Sequence, residues 1–471
     1  MVHDDAMVID ALARVVGEPN VATARAELEP ALVDCRGRFH GEARAIVRPA
    51  TTDEVAALVR ICARARIPIV AQGGNTSMCG GATPDASGQA IVLSLSRLRA
   101  IRDVDAPNAT MTVEAGVTLH DAQRAAEHAG LFFPLSLASE GTCTIGGNLS
   151  TNAGGTAVLR YGNARDLVLG IEAVLADGRV FHGLRGLRKN NTGYDLKQLF
   201  IGSEGTLAIV TAAVLKLFPA PRTRVTAFAA MATLDDAVAL LHALQQAVGD
   251  RLTGFELLSK AALDVSRRHG PELPDPLPGH PWYALLQMDD SSADVPLRDM
   301  AETALARAAE QTIVVDATIA QSQEQANRLW ALRENVSEAQ RREGPNIKHD
   351  ISLPISAIPQ FCRDTAAALD AALAGIRLFV FGHLGDGNLH YNVAAPPGDD
   401  ARDFLDKTPA INRIVHDRVV ALGGSISAEH GIGQLKRDEL AHYADPLDLE
   451  LMRRIKSALD PDGILNPGKV V

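Results

Sequence analysis

The sequence predicts an α+β protein of two or three domains. Three observations point there. The chain has 471 residues, more than one hydrophobic core ordinarily organises. Its first half alternates short apolar runs with amphipathic helical stretches, punctuated by glycine clusters. Its second half adds apolar runs joined by turn signals, the pattern of an antiparallel sheet flanked by helices. Hydrophobic residues make up 46% and charged residues 22%, the balance of a globular chain. A net charge of -11 argues against nucleic acid as a main partner.

Residues 1–39 form an N-terminal segment that is rich in Ala, Leu and Glu over 4–35 and reads as helical. A first domain is expected over 40–220. In it ARAIVRPAT is a strand ending at a proline, and DEVAALVRICARARI is a helix capped by Asp or Thr. IPIVAQGGN is a buried strand running into glycines. MTVEAGVTL and LFFPLS are strands around the helix HDAQRAAEHAG, which Gly130 closes. Asp177-Gly178 between apolar runs predicts a hairpin, and GTLAIVTAAVLKLFP ends the domain. A second domain is expected over 221–424. It opens with the strand RVTAFAAM and the helix TLDDAVALLHALQQAVG. A proline-dense surface loop spans 271–281, and TIVVDATIA is a strand. QSQEQANRLWALRENVSEAQRREG is one long helix, and RLFVFGHLGDGNLHYNVAA is a hairpin. Residues 425–471 form a C-terminal segment.

The N-terminus has acidic residues where a signal peptide needs basic ones, and no run of about 18 apolar residues follows. Five cysteines form no CxxC pair, so neither disulfides nor a zinc–thiolate site is expected. These features lead to the expectation of a cytoplasmic protein.

Two glycine clusters carry the first chemical signal. One is Gln72-Gly73-Gly74-Asn75-Thr76-Ser77, followed by Gly80-Gly81. The other is Gly141-Thr142-Cys143-Thr144-Ile145-Gly146-Gly147-Asn148, continuing to Thr151-Asn152-Ala153-Gly154-Gly155. Neither is a Rossmann fingerprint or a P-loop. Each alone reads as a turn. Together they offer close backbone approach and clustered N–H donors that hold a pyrophosphate from two sides.

The second signal is the hairpin around Asp386-Gly387. With those two residues as a tight turn, His383 and His390 fall opposite each other, Cβ atoms about 4.5–5.5 Å apart. Asn392 shares their face. That spacing suits two imidazoles on one metal ion. Glu429-His430, in the bend SAEHGIG, supplies a carboxylate and an imidazole. Two histidines and one carboxylate leave open coordination positions, as catalytic metal sites do. The adjacent acid and base can divide two roles, metal ligand and general base, in either order. Arg333 and Ser337 are one helical turn apart, and Lys348 follows a Gly-Pro break.

The segments IPIVAQGGNTSMCGG, PLSLASEGTCTIGGNLSTNAGG and GSEGTLAIV, in this order, resemble the FAD-binding domain of the vanillyl-alcohol-oxidase/p-cresol-methylhydroxylase superfamily. WALRENVSEA, IKHDISLP, FGHLGDGNLHYNV and SAEHGIGQLKR resemble the C-terminal domain of FAD-linked D-lactate and D-2-hydroxyglutarate dehydrogenases. The resemblance runs from about 40 to 471. It implies a two-part PCMH-type FAD-binding domain followed by an FAD-linked oxidase C-terminal domain.

The resemblance also implies roles. FAD, held non-covalently, has its pyrophosphate against Gly73, Gly74, Asn75, Thr76 and Ser77 and against Gly141, Thr142, Gly146, Gly147 and Asn148. Ser139, Thr151 and Gly154 flank the second loop. Adenine and ribose lie near Glu204 and Ile209, and the closing motif at Asn466 returns to the flavin. His383, His390 and Glu429 bind a divalent metal (zinc foremost, with manganese and cobalt as alternatives), and His430 is the base. Arg333, Ser337 and Lys348 clamp a distal carboxylate, and Asn392 lies near metal and substrate. The implied reaction oxidises D-2-hydroxyglutarate to 2-oxoglutarate with hydride transfer to flavin N5; D-lactate and D-malate are the alternatives. The electron acceptor is an electron-transfer flavoprotein, a quinone or a cytochrome, and a homodimer is expected.

Overall fold

In the computed structural model the helix Thr52–Ala65 shows how the first half assembles. Thr51 caps it by accepting from the Glu54 amide, as a Thr before an acidic first turn should. Val55, Ala56, Leu58, Val59 and Cys62, at helical spacing, are buried. They share one apolar cluster with Ile69, Ile91 and Leu93 of one sheet and Val174 and Ile209 of another. All residues are described except 1–4, 271, 272 and 274. Part of the proline-dense loop expected at 271–281 and the first residue of the helical stretch over 4–35 therefore lie outside the described residues.

The chain divides into two compact units. One comprises residues up to Gly154, Asn163–Ala220 and His430–Val471; the other comprises Gly155–Gly162 and Pro221–Glu429. The first contains two main sheets. Val21–Ala22, Ala45–Val47, Ile91–Ser94 and Ile69–Gln72 lie in that order, the last three parallel. Ile101–Asp105, Thr110–Glu114, Ile209–Lys216, Val168–Val174 and Val180–Gly183 form an antiparallel sheet. The Asp177-Gly178 hairpin is present, with Val174 paired to Val180. The helical stretch at 4–35 is interrupted. Asp5–Val16 and Arg25–Leu32 are helices, and Gly17 with Pro19 breaks the chain between them.

The second unit is built on an eight-stranded sheet. Its order is Asp316–Ile319, Thr223–Met231, Trp282–Asp290, Leu252–Ser259, Arg377–His383, Asn388–Ala394 and Asn346–Ile347, with Asp350–Ser352 also paired to Asn388–Ala394. All these pairings are antiparallel. Both faces are covered, so its strands read as nearly continuous apolar runs. Phe255, Leu257, Val380, Leu389 and Tyr391 face the larger cluster, which includes residues of the helices Leu234–Val248, Leu297–Glu310 and Ile358–Ala372. Phe228, Leu258, Tyr283 and Phe381 face a smaller one, with the helices Lys260–His269 and Gln323–Glu334. The long helix expected over 321–344 is two, Gln323–Glu334 and Val336–Arg342, meeting at Asn335. The Asn335 side chain donates to the Ser266 carbonyl, anchoring the junction of the two helices to the helix Lys260–His269. No helix among the described residues is long and apolar enough to cross a membrane.

The Asp386-Gly387 hairpin forms with a looser turn than the sequence predicts. Leu384–Asp386 make a 3-10 turn and Gly387 takes φ +85°. Phe381, not His383, pairs with His390. The register differs from the expected one by two residues, which keeps both histidines on one face but staggers them along it. A Cβ on Gly387 would lie 2.3 Å from the Leu353 carbonyl oxygen. Gly387→Ala is therefore expected to destabilise the protein by about 1–3 kcal/mol, from left-handed strain and this contact. A lowered urea midpoint in equilibrium unfolding of the variant checks it.

Candidate active site

Sheet register assembles the site in the second unit. Glu256 is opposite His383 on one side, and Asp350 is opposite His390 on the other. By the same register Lys348 falls opposite Asn392. Phe381, His383, His390 and Asn392 share the face that carries the smaller apolar cluster. Apolar cover gives way here to a row of ionisable groups.

His383, His390 and Glu429 each present a ligand atom within 4.8 Å of the others. Glu429 Oε1 lies 3.5 Å from His383 Nε2, and its Oε2 lies 3.9 Å from His390 Nε2. The two imidazole centroids are 6.3 Å apart. The Glu429 amide donates to Asp350 Oδ2 at 3.0 Å, tying the bend to the sheet. Asn388 Nδ2 donates to Asp350 Oδ1 at 2.9 Å. The set fits a divalent cation: two imidazoles and a carboxylate converge, with further acids close by.

The electrostatics agree with that donor set. Burial opposes a charge on His383, yet the Glu256 carboxylate 2.5 Å from its Nδ1 raises it to about 9. Burial likewise opposes a charge on Glu256, but His383 and Arg333 hold it down at about 2. Burial pushes Glu429 up to about 7; His383 opposes the rise, and Asp350 and Asp386 add to it. A cluster of acids that raises its own members and its imidazole is one that a cation relieves.

The expected substrate residues divide. Arg333 is buried, its Nε 2.7 Å from Glu256 Oε2 and its guanidinium 4.9 Å from the Phe381 ring centre. Lys348 lies between the strands Asn346–Ile347 and Asp350–Ser352 and is half-buried. Asn392 is buried, and its Nδ2 donates to Gln340 Oε1 at 2.8 Å. Ser337 departs from expectation: it is exposed on the second helix, whereas Arg333 is buried on the first, because the helix changes at Asn335. His430 follows Glu429 directly and is half-buried. Sequence reasoning missed Glu256, Asp350 and Gln340. A lone acid inside the apolar run LTGFELLS was the available signal for Glu256. Asp350 lies in the recognised segment IKHDISLP.

In the first unit the two glycine segments meet closely. A Cβ on Gly73 would lie 2.3 Å from Thr144 Oγ1, and one on Gly74 would lie 2.0 Å from the Thr142 carbonyl oxygen. Among the described residues, the amides of Gly73, Gly74, Asn75, Thr76 and Ser77 donate to no backbone acceptor. They form the donor-rich loop that a pyrophosphate needs. The second segment differs from the loop expected. Ile145–Ser150 is a helix capped by Thr144, and Gly146 and Asn148 donate to Ala115 and Thr144 carbonyls. The Thr142 and Cys143 amides donate to Ser139 O. Gly141 and Thr142 are exposed, Gly154 is buried, and Thr151 Oγ1 donates to Gly147 O.

Three other expected cofactor side chains are engaged within the protein. Asn75 Nδ2 donates to the Pro30 and Val33 carbonyls. Glu204 accepts from the Ile432 and Gly433 amides at 2.7 and 2.8 Å. Asn466 Nδ2 donates to the Gly81 and Glu204 carbonyls. These side chains shape the surrounding loops. Ile209 is buried in the core and paired with Val174 in the sheet.

Comparison with known proteins agrees with this architecture. Residues 220–470 match the family of FAD linked oxidases, C-terminal domain, and residues 43–183 match the FAD binding domain family. The chain is 38% identical over 463 residues to the mitochondrial D-2-hydroxyglutarate dehydrogenase of Bos taurus, covering 98% of this chain and 82% of that protein. It is 38% identical over 459 residues to the D-2-hydroxyglutarate dehydrogenase of Xanthomonas citri pv. viticola, covering 98% and 96%. Among solved structures, substrate-bound p-cresol methylhydroxylase superposes with a TM-score of 0.76 at 17% identity, covering 99% of this chain and 96% of that one. An alkyldihydroxyacetonephosphate synthase superposes at 0.74 and 16%, covering 98% and 86%. These two likenesses concern the fold, which is the PCMH-type FAD-binding architecture with an FAD-linked oxidase C-terminal domain. The chain belongs to the D-2-hydroxyglutarate dehydrogenase family of FAD-linked oxidases and is an FAD-dependent oxidoreductase.

Proposed function

We propose that this protein oxidises D-2-hydroxyglutarate to 2-oxoglutarate, with FAD in the domain at 40–220 and a divalent cation, zinc foremost, on His383, His390 and Glu429. The observation that carries the reading is the sheet face itself. It combines a three-ligand donor set with two cationic side chains, Arg333 and Lys348, suited to a second carboxylate. A second carboxylate on the substrate matches the positive charge that Arg333 and Lys348 bring to this face. The named relatives support the same substrate.

When bound, the cation supplies acidification of the substrate hydroxyl and FAD supplies the hydride acceptor at N5. This chain's residues do the rest. Arg333 and Lys348 hold the distal carboxylate, and Asn392 lines the region beside the ligands. His430 takes the hydroxyl proton, leaving Glu429 as a ligand. An imidazole can accept that proton, and the Glu429 oxygens already face both ligand histidines. The amides of Gly73 to Ser77 hold the pyrophosphate. The flavin is held non-covalently: neither glycine segment contains a histidine, and Cys79 and Cys143 are buried. Residues 425–471 complete the flavin side, and the electrons leave to an external acceptor.

Anaerobic bleaching of the flavin near 450 nm tests the reading. D-2-hydroxyglutarate should reduce it faster than D-malate or D-lactate, and the L-enantiomer should not. Chelation should abolish reduction and zinc restore it. A preference for D-lactate would assign Arg333 and Lys348 another role, and reduction that survives complete metal removal would refute the metal reading.

Metal binding should also be pH-dependent. Without the ion, His383, raised to about 9, holds a proton at pH 7, and Glu429, raised to about 7, holds a fraction of one. Metal must displace them, so affinity rises with pH from about 6 to 9, with about one proton or more released at pH 7. Calorimetry of zinc binding in buffers of different ionisation enthalpy measures that number, and a value of zero would contradict it.

A further inference from the structure

Glu256 lies at the centre of the strand Leu252–Ser259, every residue of which is buried. Its neighbours Phe255 and Leu257 belong to the apolar cluster on the opposite face. A carboxylate there is costly to bury unless both oxygens find charged or strongly donating partners. Both do. Oε1 lies 2.5 Å from His383 Nδ1, and Oε2 lies 2.7 Å from Arg333 Nε.

We infer that Glu256 is a positioning residue that couples the metal centre to the substrate-carboxylate subsite and thereby helps set which 2-hydroxy acid is accepted. The inference rests on the function proposed above. Two geometric facts support it. The Nδ1–H of His383 is engaged by Glu256, so Nε2 is the atom turned toward Glu429; a carboxylate behind an imidazole fixes its tautomer and its orientation toward a metal. Arg333 is held at two points, by Glu256 through Nε and by the face of Phe381, which lies two residues before His383 on the same strand. The terminal amino groups of Arg333 make no hydrogen bond among the described residues and are the ones left for a ligand. One buried carboxylate thus fixes the separation between a metal-ligand nitrogen and a carboxylate-binding guanidinium. A substrate with two carboxylates must span that separation; one with a single carboxylate need not.

The test uses full-length FAD-loaded protein and the variants Glu256→Gln and Glu256→Asp. Glutamine keeps the volume but cannot accept from both partners, because one end is an amide donor. Aspartate keeps the charge but shortens the reach by one methylene. Zinc affinity is measured by competition with a chromophoric chelator. The kinetic constants kcat and KM for D-2-hydroxyglutarate and D-lactate are then measured at saturating zinc with a dye acceptor. Flavin content and circular dichroism report folding.

For Glu256→Gln, zinc affinity is expected to fall about 10- to 100-fold. At saturating zinc, kcat/KM for D-2-hydroxyglutarate relative to D-lactate is expected to fall about tenfold, chiefly through the KM of the dicarboxylate. Glu256→Asp is expected to lie between wild type and Glu256→Gln, and it carries the test if Glu256→Gln does not fold. A variant that keeps wild-type zinc affinity and selectivity overturns the inference. One that loses zinc but keeps selectivity at saturating zinc also overturns it, because the coupling is then absent. If wild type itself binds no zinc, or neither acid reduces its flavin, the proposed function fails and the coupling fails with it. A normal wild type with unaffected variants refutes the coupling alone.

Discussion

A charge buried within an apolar sheet needs partners, and the partners of Glu256 organise the second unit of this protein. The strand around it is covered on both faces, so water cannot compensate the carboxylate. His383 comes from the neighbouring strand and Arg333 from a helix on the same face, and their positive charge holds Glu256 ionised. The same contact keeps His383 protonated without a metal and turns its other nitrogen toward Glu429. Asp350 has a comparable place beside His390, where it also receives the Glu429 amide. Glu256 and Asp350 thus flank the donor set on either side of the hairpin.

The first unit meets a different constraint, close approach of backbone to backbone. Gly73 and Gly74 stand where any side chain would collide with Thr144 or Thr142. The amides beside them are left without backbone acceptors, whereas most of those in the second glycine segment are used in a capped helix and its neighbouring turn. Among the described residues, backbone amides without backbone acceptors thus lie mainly in the first loop. The second loop supplies the wall against which it packs, and Asn75, Glu204 and Asn466 brace that arrangement through bonds to the backbone.

Much of this was legible in the sequence, and the failures have identifiable causes. Strands bounded by glycine or proline and the helix opened by Thr51 carry local signals, and they form as read. The two hairpin histidines were legible as a pair because an even register offset leaves them on one face; the offset itself was not, since Asp-Gly alone does not exclude a 3-10 turn ahead of it. Ser337 looked like a partner of Arg333 because helical spacing ignores the Asn335–Ser266 contact, which is tertiary. Glu256 and Asp350 reach the histidines only through strand pairing across more than 100 and about 40 residues of sequence, which no local pattern encodes. Asn75 and Glu204 were legible as special positions, but which atoms they engage depends on segments far along the chain.

The central claim is that the sheet face formed by His383, His390 and Glu429 holds one divalent cation with Glu256 behind it. Anomalous diffraction at the zinc edge, from crystals of the protein purified with zinc, tests it most directly. The account predicts one strong peak about 2.0–2.2 Å from His383 Nε2, from a His390 ring nitrogen and from a Glu429 oxygen, with His383 Nδ1 still on Glu256. A peak elsewhere, or none in a protein that reduces its flavin with D-2-hydroxyglutarate, would contradict it.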